Sequence, residues 1–94
     1  MLVVAVRFRV KLGYEQSFLD RVKRQAKDSL AGEIGCKQFD VCHAQGKPGH
    51  VFLYEVYTDD AAFEVHRRAE YLQAFNADTA DWVEEKVLER WVRP

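Results

Sequence analysis

A carboxylate in the middle of an apolar run is the residue with the most chemical promise. Glu55 interrupts VFLYEVYT, with apolar neighbours on both faces of the segment. An ionised carboxylate taken out of water is costly unless something pairs with it. Such a group serves as a general base or as an anchor for a bound molecule. The plainer roles are a structural ion pair with Arg7, Arg67 or a histidine, or simple exposure at a sheet edge. His66 follows eleven residues later and three after Phe63, a spacing that puts both rings on one helix face. Imidazole titrates near neutrality and passes protons at physiological pH, although a lone histidine more often only donates to a carbonyl. Tyr57, Tyr71 and Trp82 point toward the same space. There they offer a flat aromatic ligand stacking surface and phenol hydrogen bonds, or they pack as core. Asn76 lies on a helix otherwise turned inward and reaches either ligand or solvent.

Other constellations carry less. Cys42, His43 and His50 look like metal ligands until their geometry is considered. Neighbours on a strand face opposite ways, and a zinc site needs about four converging ligands, so no metal site is expected. Cys36 and Cys42 on one strand would lie roughly 20 Å apart, whereas a disulfide needs Cα atoms within about 7 Å. Reduced thiols in a reducing compartment follow. No Walker loop, GxGxxG, GxSxG, CxxC or HExxH is present, so the enzyme classes read from those motifs have no support.

The elements that must position these groups follow from periodicity. Leu2 to Leu12 alternates, with Val4, Val6, Phe8, Val10 and Leu12 on one side and Arg7, Arg9 and Lys11 on the other; this is a half-buried strand. From Tyr14 the period becomes helical, with Tyr14, Phe18, Val22, Ala26 and Leu30 in one stripe, ending near Gly32 and Gly35. Cys36 to His43 and His50 to Thr58 form a hairpin across the loop Ala44 to Gly49. Val51, Leu53, Glu55 and Tyr57 share one face of its second strand. Thr58, Asp59 and Asp60 cap a short helix, Ala61 to Arg68. A second helix runs from Tyr71 to Glu85, and Lys86 to Val92 closes the chain as a short strand. The order β-α-β-β-α-α-β predicts an α+β, ferredoxin-like domain: a four-stranded antiparallel sheet with helices on one face. Nothing in the chain covers the other sheet face. A second copy packed sheet to sheet, as a homodimer, would cover it.

Composition sets the outer bounds. The 94 residues make a single domain of 10.9 kDa, 48% hydrophobic and 31% charged, with twelve aromatic rings. Fourteen Lys+Arg against fifteen Asp+Glu leave a net charge of −1, which argues against nucleic-acid binding and against adhesion to an anionic membrane. The longest apolar run, Leu2 to Val6, is far short of the roughly 20 residues that span a bilayer. A cytoplasmic protein is expected.

The segments Gly35-Cys36, Phe39-Asp40-Val41, Phe52 through Asp59, Ala62-Phe63 and His66, with Phe75 behind them, resemble the antibiotic biosynthesis monooxygenase (ABM) family of the dimeric α/β-barrel superfamily. The likeness extends to the opening strand and the Lys11-Leu12-Gly13 turn into the helix that carries Phe18. Its most specific piece is the strand Tyr54-Glu55 followed by His66. The resemblance implies a ferredoxin-like fold, a homodimer and a pocket between sheet and helices. It also implies oxygenase chemistry on a small quinol-like or phenolic substrate, with dioxygen as co-substrate and no cofactor. In that reading Glu55 and His66 are the base or proton relay, Tyr57, Tyr71 and Trp82 hold the ring, and Asn76 bonds an oxygen. Relatives often carry a second histidine where this chain has Tyr71. The Asn, Trp and His of the haem-degrading branch correspond here to Val6, Tyr57 and Asn76, which disfavours haem degradation. A similar branch isomerises a phosphorylated hydroxyketone signalling molecule; it shares the Tyr-Glu strand and the histidine, and Arg67 or Arg68 would serve a phosphate. A non-catalytic dimer that binds a small ligand is the third reading.

Overall fold

The computed structural model describes Met1–Pro94. Strand β1 (Leu2–Val10) buries Leu2, Val4, Val6, Phe8 and Val10 on one side, as its alternation requires. Leu12, expected to continue that row, lies beyond the strand and is exposed. The chain has already turned at Gly13, whose φ of 94° suits a residue without Cβ. Helix α1 (Glu15–Gly32) buries Phe18, Val22 and Ala26, but also Arg21, Gln25 and Ser29. The buried stripe is therefore rotated from the expected one, leaving Tyr14 and Leu30 largely exposed. Three polar side chains stand where the periodicity of apolar residues alone puts none.

Strands β2 (Cys36–His43) and β3 (His50–Tyr57) pair as the hairpin, with Phe39 opposite Glu55 and Val41 opposite Leu53. Gly35 precedes β2 where helix α2 (Asp60–Arg68) crosses closely; a Cβ there would collide with Ala62. The Asp59 side chain accepts from the Ala62 N–H at 2.8 Å and caps α2. Helix α3 (Glu70–Thr79) is shorter than the expected helix to Glu85. A 3-10 turn (Ala80–Trp82) follows, and β4 begins at Val83 and ends at Val92. Tertiary pairing decides this boundary. Val83 and Glu85 pair with Val10 and Arg9 across a bulge, and Arg9 meets Glu84 and Glu85 at 3.3 and 3.1 Å. Glu84 and Glu85, expected at the end of a helix, instead meet an arginine across the strands.

The sheet order is β2-β3-β1-β4, antiparallel throughout, with the helices on one face: the ferredoxin-like arrangement. Phe8, Phe18 and Phe75 knit sheet, α1 and α3 together, with ring centroids 4.9 to 6.5 Å apart. The opposite sheet face carries Phe52, Tyr54 and Trp91 with no element over them; Phe52 and Trp91 stay exposed. No helix is long and apolar enough to cross a membrane. The Met1 ammonium donates to the Arg93 carbonyl at 2.9 Å, and the Arg93 N–H donates to the Met1 carbonyl at 2.8 Å.

Candidate active site

Glu55 sits at the centre of β3 on the helix-facing side, 3% exposed. Tyr57, two residues along on the same face and fully buried, donates its hydroxyl to Glu55 Oε1 at 2.6 Å. Burial pushes the Glu55 carboxyl up to about 7; the Tyr57 hydrogen bond and the Lys86 ammonium restrain the rise, and Glu33 adds to it. Burial, with the adjacent Glu55, drives the Tyr57 phenol the same way, so Tyr57 keeps its proton and remains a donor. Of the structural partners considered for Glu55, Arg7 lies nearest Glu89 and Arg67 bonds Glu64. The histidine is the one that comes close.

His66 enters this space from α2, where Phe63, one turn earlier, stacks on the imidazole at 5.9 Å with 18° between the planes. Tyr57 and Phe39 tilt against it at 5.2 and 6.1 Å. Nδ1 lies 3.1 Å from both carboxylate oxygens of Glu33 and 3.2 Å from Ser29 Oγ. Nε2 lies 3.9 Å from Glu55 Oε1. A carboxylate at Nδ1 fixes the ring proton there and leaves the Nε2 lone pair facing Glu55. Burial draws the His66 pKa below its ordinary value, with Glu33 opposing the fall. At neutral pH the pair is thus a neutral imidazole beside a carboxyl poised to hold or release its proton.

A cavity of about 460 Å³ opens between the sheet and α2 and α3. Glu55, His66 and Asn76 line it, together with Phe39, Phe63 and Phe75. The other three residues singled out from sequence stand elsewhere. Tyr57 lies behind Glu55 in the core. Tyr71 stands behind Glu33 and donates its hydroxyl to Glu33 Oε2, and burial together with Glu33 raises its pKa. Trp82, expected on a helix running to Glu85, belongs instead to the turn before β4. It stacks on Tyr14 at 6.1 Å, away from the cavity. Cys36 is buried and its thiol is pushed up to about 11, chiefly by burial.

Sequence reasoning missed four participants. Glu33 orients His66 from the connection after α1, where no periodicity marks an inward residue. Gln25 and Ser29 occupy the buried face of α1 one turn apart, and the Gln25 amide donates to Ser29 Oγ at 3.0 Å. Their (i, i+4) spacing against Phe18 and Val22 was the available signal. Lys86 lines the cavity from β4 in alternation with Leu88 and Arg90.

A family model described as antibiotic biosynthesis monooxygenase matches residues 1–78. A candidate antibiotic biosynthesis monooxygenase from Nitrosomonas europaea is 22% identical, with 99% of this chain and 98% of that chain aligned at a TM-score of 0.94. A similar candidate from Caulobacter crescentus is 19% identical over 99% of this chain and 89% of that one, with a TM-score of 0.94. A Shewanella oneidensis protein is 23% identical over 96% and 87%, with a TM-score of 0.88. Comparison with curated proteins gave no match. At such identities the solved structures speak for the fold alone, and the family model speaks for descent. The model covers all but the last sixteen residues, including β3, α2 and the carboxyl–imidazole pair they carry, and on that ground the chain belongs to the antibiotic biosynthesis monooxygenase family.

Proposed function

We propose that the protein is a cofactor-independent monooxygenase that oxidises a small quinol-like or phenolic substrate with dioxygen. One observation carries this reading: inside an aromatic-walled cavity, a neutral imidazole held by Glu33 faces a carboxyl whose proton leaves only near pH 7. Triplet dioxygen reacts slowly with closed-shell organic molecules, so the protein must first make the substrate electron-rich. His66 Nε2 takes the phenolic proton as general base. The phenolate passes one electron to dioxygen, and the resulting radicals join in a carbon–oxygen bond. The peroxide O–O bond then breaks: one oxygen stays on the ring carbon and the other leaves as water, with Glu55 supplying a proton. For a quinol the sum is quinol plus dioxygen giving hydroxyquinone plus water. Asn76 hydrogen-bonds a substrate oxygen at the cavity wall. Tyr57 and Tyr71 act through Glu55 and Glu33 as positioning residues.

The isomerase reading would call on unpaired basic groups for a phosphate. Arg67 and Arg90, which line the cavity, pair with Glu64 and Asp60 at 3.1 and 2.6 Å, which leaves Lys86 as the one unpaired cation there; a single charge suits a phosphate dianion poorly, which favours the oxygenase. The same reading includes a cytoplasmic homodimer joined through the open sheet face. Purified protein mixed with a panel of hydroquinones and no added cofactor should consume dioxygen. His66→Ala should lower the rate by about 10²-fold or more, the usual worth of a general base. Wild type and His66→Ala equally inert, yet both binding the ring, would leave the ligand-binding dimer. Isomerisation of a phosphorylated hydroxyketone without oxygen uptake would establish the isomerase.

A further inference from the structure

The oxygenase reading uses Glu55, His66 and Glu33, and leaves two polar groups of the same cavity unexplained. The inference drawn from them rests on that reading and names the kind of molecule the cavity takes. Gln25 is 1% exposed and lines the cavity. Its amide N–H₂ is engaged with Ser29, whereas its Oε1 has no hydrogen-bond partner. A buried carbonyl oxygen is costly to leave unpaired, and a donor on an occupant of the cavity would meet it.

The second group is Lys86. Three cations line the cavity, and two are spoken for: Arg67 by Glu64 and Arg90 by Asp60. Lys86 takes part in none of the chain's ion pairs. Its Nζ stands 5.5 Å from the centroid of the Phe8 ring. Partial removal from water draws its pKa down, with Glu55 opposing the fall, and the side chain is exposed enough to reach an occupant of the cavity.

Sheet register sets these groups apart. Glu55, Val4 and Arg90 form one row across the sheet, and Val51, Phe8 and Lys86 another. Leu53, Val6 and Leu88 fill the row between them. Lys86 is two strands across and four residues along from Glu55, about 10 Å by about 14 Å at the backbone. The floor of the cavity is therefore apolar in the middle, with proton-handling groups at one end and a lone cation at the other.

We infer that the cavity selects a hydroxyaryl carboxylate: a ring hydroxyl donates to Gln25 Oε1, the flat ring lies over Val6, Leu53 and Leu88, and an ionised carboxylate on the ring system pairs with Lys86. A quinol carries two hydroxyls, so one meets His66 Nε2 while the other meets Gln25. One ammonium matches a singly charged carboxylate. A phosphate dianion would need the two arginines that Asp60 and Glu64 already hold.

Calorimetric titration under nitrogen tests this without requiring turnover, using a dihydroxynaphthoate, the matching dihydroxynaphthalene and the unhydroxylated naphthoate. The wild-type protein should bind the dihydroxynaphthoate at least about 10-fold more tightly than the dihydroxynaphthalene, as one charge-assisted hydrogen bond provides. Lys86→Met should abolish that advantage, so that the two dihydroxy compounds bind the variant alike. Gln25→Leu should weaken both hydroxylated compounds alike and spare the naphthoate. Equal affinity of the two dihydroxy compounds for wild type, or an advantage that survives Lys86→Met, overturns the inference. Lys86 lies on a partly exposed strand, so its substitution remains informative even if Gln25→Leu fails to fold. A protein that prefers the carboxylate but never consumes dioxygen keeps this inference and loses the oxygenase reading; one that oxidises neutral quinols without the preference does the reverse.

Discussion

Glu55 and His66 are displaced from their ordinary pKa values in opposite directions by the same cause, the loss of water around them. The carboxyl, raised from 4.5 to about 7, keeps its proton to near neutrality. The imidazole, drawn below 6.5, stays free to accept one under mildly acidic conditions. If His66 is the base and Glu55 the acid, kcat/KM against pH should be bell-shaped, with its alkaline limb near 7. Glu55→Gln should abolish that limb and leave a low, flat rate above neutrality. Stability carries the same signature. Between pH 4.5 and about 7 the folded protein retains a proton that the unfolded chain releases, so stability falls as pH rises through that window. The loss amounts to about 3 kcal/mol. His66 contributes the opposite slope below 6.5, so the comparison must be between wild type and Glu55→Gln. The difference in their unfolding free energies, from urea melts at pH 5 and pH 8, should shift by about that much in favour of the variant at pH 8. Glu33→Gln should impair turnover with little effect on ring binding, because it frees the imidazole to turn without emptying the cavity.

Among the elements, the tightest fit lies where β2 begins under α2. Gly35→Ala would drive its new methyl into Ala62 and move the helix that presents His66. It should cost about 1–3 kcal/mol, as overpacking does, visible as a lower Tm and a reduced turnover rate. This level also explains what the chain disclosed before folding. Strict alternation in β3 put Glu55 on the helix side, and the three-residue step from Phe63 did the same for His66; both signals are local, and local signals survive in a sequence. Glu33 was invisible because it sits in a connection, where burial is decided by what packs over it. Trp82 was misplaced because the boundary between α3 and β4 is set by Arg9 on a distant strand. Tyr57 had its facing read correctly, but depth along that face is a tertiary property: the hairpin end beneath α2 is solid core, and the cavity opens farther toward β1 and β4.

At the level of the whole molecule, one sheet face is covered by helices and the other bears Phe52, Tyr54 and Trp91 against water. A second copy laid on that face, as proposed above, would account for these rings. Sedimentation at micromolar concentration should show a dimer, and Trp91→Glu should shift it toward monomer; a wild-type monomer would leave the exposed rings without explanation. Another consequence follows from the paired hydrogen bonds that tie Met1 to Arg93. Because these residues are clasped just beyond the ends of the neighbouring strands β1 and β4, the polypeptide can be rewired. Joining them through a few glycines and reopening the chain between Gln45 and Gly46, in the polar hairpin loop, gives a circular permutant. It should refold with the carboxyl and imidazole still facing one another, since every strand pairing is preserved while only the order of synthesis changes.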